Sequence, residues 1–114
     1  MVFNVVAHNR DDHVKNFSYL MTPDGEWTLS PAYDLVFSGG INGWHTTSVA
    51  GEAQHPSEED MLRVAESASI RRRHATEVIR RVRDVVGEWP SYADAAGVPA
   101  ETAARIQSAL RHNA

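Results

Sequence analysis

The spacing of apolar residues changes character near Pro56. Before it they stand in short runs among turn formers, and after it they recur every three or four residues. Val2, Phe3, Val5 and Val6 fit either the last turns of a buried helix or a short strand. No capping residue precedes them, so the element is expected to begin upstream. Asn9 to His13 is polar and reads as a loop. Phe17–Met21 and Glu26–Ser30 are strand candidates on either side of Thr22-Pro23-Asp24-Gly25, where proline presets one turn torsion and glycine accepts positive φ. A β-hairpin is therefore expected, with Pro31 breaking its second strand. Gly39, Gly40 and Gly43 mark a loop over Ser38–Gly43. His45–Ala50 is a further short strand candidate, ended by Gly51.

Behind Pro56 the pattern is helical. Ser57 supplies an N-cap hydroxyl, and Asp60 stands at the reciprocal position of a capping box. Met61, Leu62, Val64, Ala65 and Ala68 then fall on one side. A second helix is expected from Ile70 to Val86, with Ala75, Val78, Ile79, Val82, Val85 and Val86 along its stripe and Gly87 as its stop. Trp89–Ala96 reads as a short helix. After the break at Gly97–Pro99, Ala100–Leu110 carries Ala103, Ile106, Ala109 and Leu110 on a last helix. The elements predict an α+β chain, residues 1–55 forming a loop-and-hairpin segment and residues 56–114 a helical one.

Composition narrows the field. The chain has 114 residues, 42% of them hydrophobic, enough for one modest core. Its formal charge of −4 gives no global electrostatic case for nucleic acid or an anionic membrane. With no cysteine, disulfides, thiolate metal sites and thiol nucleophiles are excluded, and a reducing compartment is compatible. No apolar run approaches the ~20 residues that cross a bilayer. Lys15 is the only lysine, beside ten arginines.

The candidate chemistry lies between Asn9 and Asp34. Phosphoryl transfer needs a carboxylate to accept the proton of the attacking hydroxyl, and oxygen ligands to hold Mg²⁺ on the phosphates. Protein kinases put the base and one ligand on a single loop as Asp-x-x-x-x-Asn, and a later aspartate completes the metal site. Asp11 and Asn16 have that spacing. The hairpin follows, and Ser30-Pro31-Ala32-Tyr33-Asp34-Leu35 supplies the later aspartate. A hairpin returns the chain on itself, which is how two distant motifs come to lie side by side.

The run Asn9, Asp11, His13, Lys15, Asn16, Phe17, followed by Trp27, Leu29, Pro31, Tyr33 and Asp34, resembles the HipA-type serine/threonine kinases, the toxins of bacterial toxin–antitoxin pairs. The helix start at Pro56-Ser57-Glu58-Glu59-Asp60 is also similar to that family's C-terminal part. The resemblance implies a protein-kinase-like C-lobe, with catalytic loop, hairpin and metal aspartate in 1–55 and a helical subdomain in 56–114. It implies Asp11 as catalytic base and Asn16 and Asp34 as Mg²⁺ ligands. His13, Lys15 and Asn16 would serve nucleotide phosphate, with His13 and Lys15 contacting it or bracing the loop. Leu35 departs from the Phe-Gly that follows this aspartate in protein kinases. By the same resemblance the cofactors are Mg²⁺ and ATP, the substrate is a protein such as an aminoacyl-tRNA synthetase, the regulator is a helix-turn-helix antitoxin and the compartment is the cytoplasm. No direct nucleic-acid or membrane partner is implied.

An ATP-binding half is missing from this stretch. Lys15 sits inside the loop motif, and no glycine-rich phosphate loop precedes Asp11. The chain therefore reads as a truncated or split kinase that is inactive alone, needing a companion N-lobe chain and prone to self-association through uncovered apolar residues. Other readings stay open. Asp11, Asp12 and His13 also suit a plain polar loop or a different metal. Asp11, His13 and Asn16 also match small-molecule phosphotransferases, although those place Trp or Phe after the second aspartate. A non-catalytic remnant that binds an antitoxin or a companion chain is the third. Phe17, Trp27 and Tyr33 are expected to be packing residues rather than binding ones, and Trp44 and His45, placed where they could touch a substrate, are expected to fold onto the body. His55, His74 and His112 are expected at the surface. Arg72, Arg73, Arg80 and Arg83 are expected to form a solvated, ion-paired flank.

Overall fold

The structure, a computed structural model, describes residues 1–111; the expectation for His112 falls outside them. Helix α1 (Val2–Val6) opens the chain, settling the helix-or-strand alternative, and a 3₁₀ turn follows at Val14–Asn16. Strands β1 (Tyr19–Met21) and β2 (Trp27–Leu29) form an antiparallel hairpin, with Tyr19 opposite Leu29 and Met21 opposite Trp27. Four helices complete the fold: α2 (Glu58–Ser67), α3 (Arg72–Gly87), α4 (Trp89–Ala95) and α5 (Ala100–Arg111). The class is α+β, as the residue pattern predicts.

The hairpin turn forms for the reasons its sequence gives. Gly25 N–H donates to Thr22 O at 2.9 Å, and Gly25 takes φ 84°, a left-handed conformation that costs glycine little. The capping box at Ser57 is complete. Asp60 N–H donates to the Ser57 hydroxyl at 3.2 Å, and Ser57 N–H donates to the Asp60 carboxylate at 2.9 Å.

One apolar core takes residues from both sides of Pro56. Val5 and Val49 meet Met61, Leu62 and Ala65 of α2 and Ala75 and Ile79 of α3. Helix α1 packs on α3, which fixes the loop after α1 against the helical body. Burying Ile79 and Leu62 side chains of this size is worth about 1.5–3 kcal/mol each. The α3 stripe is only half used, since Val78 and Val85 remain exposed. Helix α4 is tied to α5 by the Trp89 indole N–H, which donates to Ala103 O at 3.0 Å.

Three expectations need correction. His45–Ala50 forms no strand; its end is a tight turn in which Val49 and Glu52 exchange backbone hydrogen bonds around Ala50 (φ 52°) and Gly51 (φ 93°). The second helix starts at Arg72, because Ile70 N–H closes back on Ala65 O and Ser69 is left-handed. Phe17, Trp27, Tyr33 and Trp44 do not pack inside. All six strand residues are exposed, Trp27 at 66%, so neither face of the two-stranded ribbon is covered by the rest of the chain. The arginine flank is ion-paired as expected. Arg73 meets Glu77 and Arg80 meets Asp84 within α3, while Arg72 and Arg83 reach Glu59 and Glu58 on α2.

Candidate active site

The segment from His8 to Asp12 runs between two neighbours. On one side Ser38 N–H donates to His8 O at 2.8 Å and Arg10 N–H donates to Ser38 O at 3.4 Å. On the other, Thr46 donates to Arg10 O through its N–H at 3.1 Å and its hydroxyl at 3.2 Å. Asn9 is buried beneath, its amide donating to the Asn4 side chain at 3.2 Å. The polar loop is thus pinned at successive residues, although it belongs to no regular element.

From this base Asp11 points outward and Asp12 inward. The Asp11 side chain is 57% exposed and that of Asp12 is 6% exposed. His13 lies beside Asp11, with Nε2 at 3.8 Å from the carboxylate, too far for a hydrogen bond. Lys15 is exposed and makes no ion pair among the described residues. Asn16 turns its amide back on the loop, donating to Asp11 O at 3.0 Å. That bond fixes Asn16 against Asp11 and uses only its N–H, so its side-chain oxygen stays available.

The hairpin returns the chain to the loop just ahead of Asp34. The Tyr33 hydroxyl donates to Lys15 O at 2.7 Å and sits 2.5 Å from the Ser18 hydroxyl, which is therefore the donor in that second bond. The residue before Asp34 is latched to the residue before Asn16. Asn16, Phe17, Tyr33 and Leu35 line one cleft of about 210 Å³, together with Asn4 and Asn9. Asp34 itself is exposed, with φ 54°, a left-handed conformation that aspartate tolerates better than most residues. Among the described residues no three His, Cys, Asp or Glu side chains gather as a metal cluster. Asp12 is withdrawn from Asp11 and His13, which removes the alternative that those three hold a metal.

A family model described as HipA-like C-terminal domain matches residues 1–89. The chain belongs to the HipA-like C-terminal domain family. The match spans α1, the loop, the hairpin and α2 and α3, so it contains every candidate residue named above. Neither the curated proteins nor the solved structures yield a match.

The residues that reading the sequence missed in this HipA-like domain are Asp12, His45 and Thr47. Asp12 accepts Thr47 N–H at 3.1 Å on one carboxylate oxygen and faces His45 Nδ1 at 3.1 Å on the other. The Thr47 hydroxyl donates to Asp12 O at 2.6 Å. No local spacing signals a partnership across 33 residues. The one hint was an aspartate doublet in a motif that needs a single carboxylate.

Proposed function

We propose that this HipA-like domain is the catalytic-loop part of a serine/threonine protein kinase, transferring the γ-phosphoryl group of ATP to a protein hydroxyl. The observation that carries the reading is the Tyr33–Lys15 hydrogen bond, which ties the residue before Asp34 to the loop bearing Asp11 and Asn16. In this reading residues 1–55 are the catalytic part of a kinase-like C-lobe and 56–114 its helical subdomain. Asp11, exposed and unencumbered by a short hydrogen bond, accepts the proton of the substrate hydroxyl. His13 and Lys15 lie on the same loop as donors for nucleotide phosphate.

The donor set suits Mg²⁺. Asn16 retains an amide oxygen and Asp34 an exposed carboxylate, both hard oxygen ligands, and Mg²⁺ takes the rest of its shell from water and phosphate. When bound, the ion would neutralise charge on the transferring phosphoryl group. Asn16 and Asp34 would hold it, and the Tyr33 latch would keep the two at a constant separation.

These 114 residues hold no second lysine and no glycine-rich loop ahead of Asp11, so in this reading grip on the α- and β-phosphates comes from residues outside them, on an N-lobe in the same or a companion chain. The protein substrate, a helix-turn-helix antitoxin and a cytoplasmic site of action complete the proposal by family resemblance. Leu35 after Asp34 speaks against the small-molecule phosphotransferase reading. Calorimetric titration of a non-hydrolysable ATP analogue, with and without Mg²⁺, tests the metal site. Weak Mg²⁺-dependent binding is expected, and Asp34→Asn, which tolerates the same backbone conformation, should abolish it. Equal binding by both proteins would remove Asp34 from the site; binding by neither would leave a fragment or a non-catalytic family member.

A further inference from the structure

We infer that Asp12 and His45 are positioning residues, a buried pair that sets the path of the loop carrying Asp11 and Asn16. What that loop does rests on the kinase reading above; how it is held does not.

The carbonyls of three successive residues are each taken by a group outside the loop's own backbone. Arg10 O accepts from Thr46, Asp11 O from the Asn16 amide, and Asp12 O from the Thr47 hydroxyl. Two of those three partners lie on the segment that His45 begins. That segment closes on itself, since His45 N–H donates to Ala53 O at 2.7 Å, and Val49 anchors it in the core. The contact that joins the two strands of chain by side chains is Asp12 to His45. The imidazole is 0% exposed, and an ionised carboxylate can only accept, so Nδ1 carries the hydrogen.

A buried carboxylate–imidazole pair is poor evidence of stabilisation, because desolvating it offsets much of the attraction. His45 Nε2 is also buried, with no hydrogen-bond partner among the described residues. An apolar side chain would fill the space without leaving that nitrogen unsatisfied. What the pair supplies is direction. With both oxygens of Asp12 engaged and its carbonyl bound, the residue cannot rotate, and its neighbour Asp11 is held facing out. Alternation along an extended segment then dictates that one aspartate is interior and the next is at the surface.

Amide hydrogen exchange followed by NMR on the full chain tests this, together with two variants. His45→Leu keeps the volume and removes the bond; His45→Asn places an amide N–H near the position of Nδ1. In His45→Leu, exchange at Thr46, Thr47 and Asn16, whose N–H groups are hydrogen-bonded to the loop, should rise about tenfold or more, while α2 and α3 keep their protection. His45→Asn should restore most of the loop protection. Uniform acceleration over the whole chain would make the pair merely structural, and unchanged exchange in the loop would show that it positions nothing; either overturns the inference, as does failure of the asparagine to restore protection. Independently of any variant, the imidazole ¹⁵N spectrum of the unmodified chain should show His45 protonated at Nδ1, and a ring protonated at Nε2 alone would also overturn it. Loosening confined to the loop, in a chain that binds no nucleotide, would uphold the positioning role and leave the kinase reading without its metal site.

Discussion

Asp34 and Gly40 share a left-handed backbone for different reasons. At Asp34 (φ 54°) the conformation is tolerated by a side chain the proposed chemistry requires. At Gly40 (φ 67°) it is enforced by crowding, because a Cβ there would lie 2.2 Å from Trp44 O and 2.9 Å from Arg10 Cβ. Arg10 belongs to the pinned segment, so this contact bears on the loop directly. Gly40→Ala should cost roughly 1–3 kcal/mol in urea unfolding, from backbone strain plus displacement of Trp44. Gly39→Ala, where a Cβ meets nothing within 4 Å, should cost well under half of that. Equal costs at the two positions would mean that the close approach at Gly40 is relaxed without effort.

At the scale of elements, the hairpin and helix α2 form a contrast. Helix α2 is specified locally by its capping box and buries Met61, Leu62 and Ala65. Ser57→Ala should lower stability by about 1 kcal/mol, read from the shift of a chemical-unfolding midpoint. The same box makes stability depend on pH. The Ser57 hydroxyl, and after it the Ser57 backbone N–H, hold the Asp60 carboxyl below its ordinary range. The Arg72 hydrogen bond does the same for Glu59, and the backbone N–H groups of Gln54 and His55 do so for Glu52. Depressed folded-state values mean that these contributions are fully present above the unfolded values of about 3.9–4.3. They are lost as pH falls through the lower folded values. Thermal melts should therefore show stability falling below about pH 4, with a shallower fall in Ser57→Ala. A Ser57→Ala profile parallel to that of the unmodified chain would rule out the box as a source. The hairpin, by comparison, has good turn chemistry and no cover, and a two-stranded ribbon without a packed face is marginal in water.

For the whole molecule, the distribution of apolar surface is the dominant physical fact. Tyr19, Leu20, Met21, Trp27 and Leu29 are exposed on the ribbon. A second apolar groove of about 370 Å³ runs between the segment after Asp34 and helices α3 to α5, lined by Leu35, Val36, Trp89, Tyr92 and others. Surface of this kind favours association. Sedimentation velocity should show the average mass rising with concentration, and Trp27→Glu should reduce the effect. A single monomeric species across the concentration range would contradict it. No helix among the described residues is long and apolar enough to cross a membrane.

Local chemistry made much of this protein legible in its sequence. Proline, aspartate and glycine in one turn announced the hairpin, serine with a reciprocal aspartate announced α2, and a 3.6-residue period announced α3 and α5, because each of these depends on residues a few positions apart. The candidate residues Asp11, Asn16 and Asp34 were legible for the same reason, through the spacing of a motif. Only the tertiary structure decided which of two adjacent aspartates faces solvent, that His45 lies buried against Asp12, and that Tyr33, the residue before Asp34, is latched to the loop. Those two contacts join residues 18 and 33 positions apart. The aromatic residues misled for a related reason: hydrophobicity predicts that a side chain is better off covered, but packing alone determines whether this chain supplies the cover.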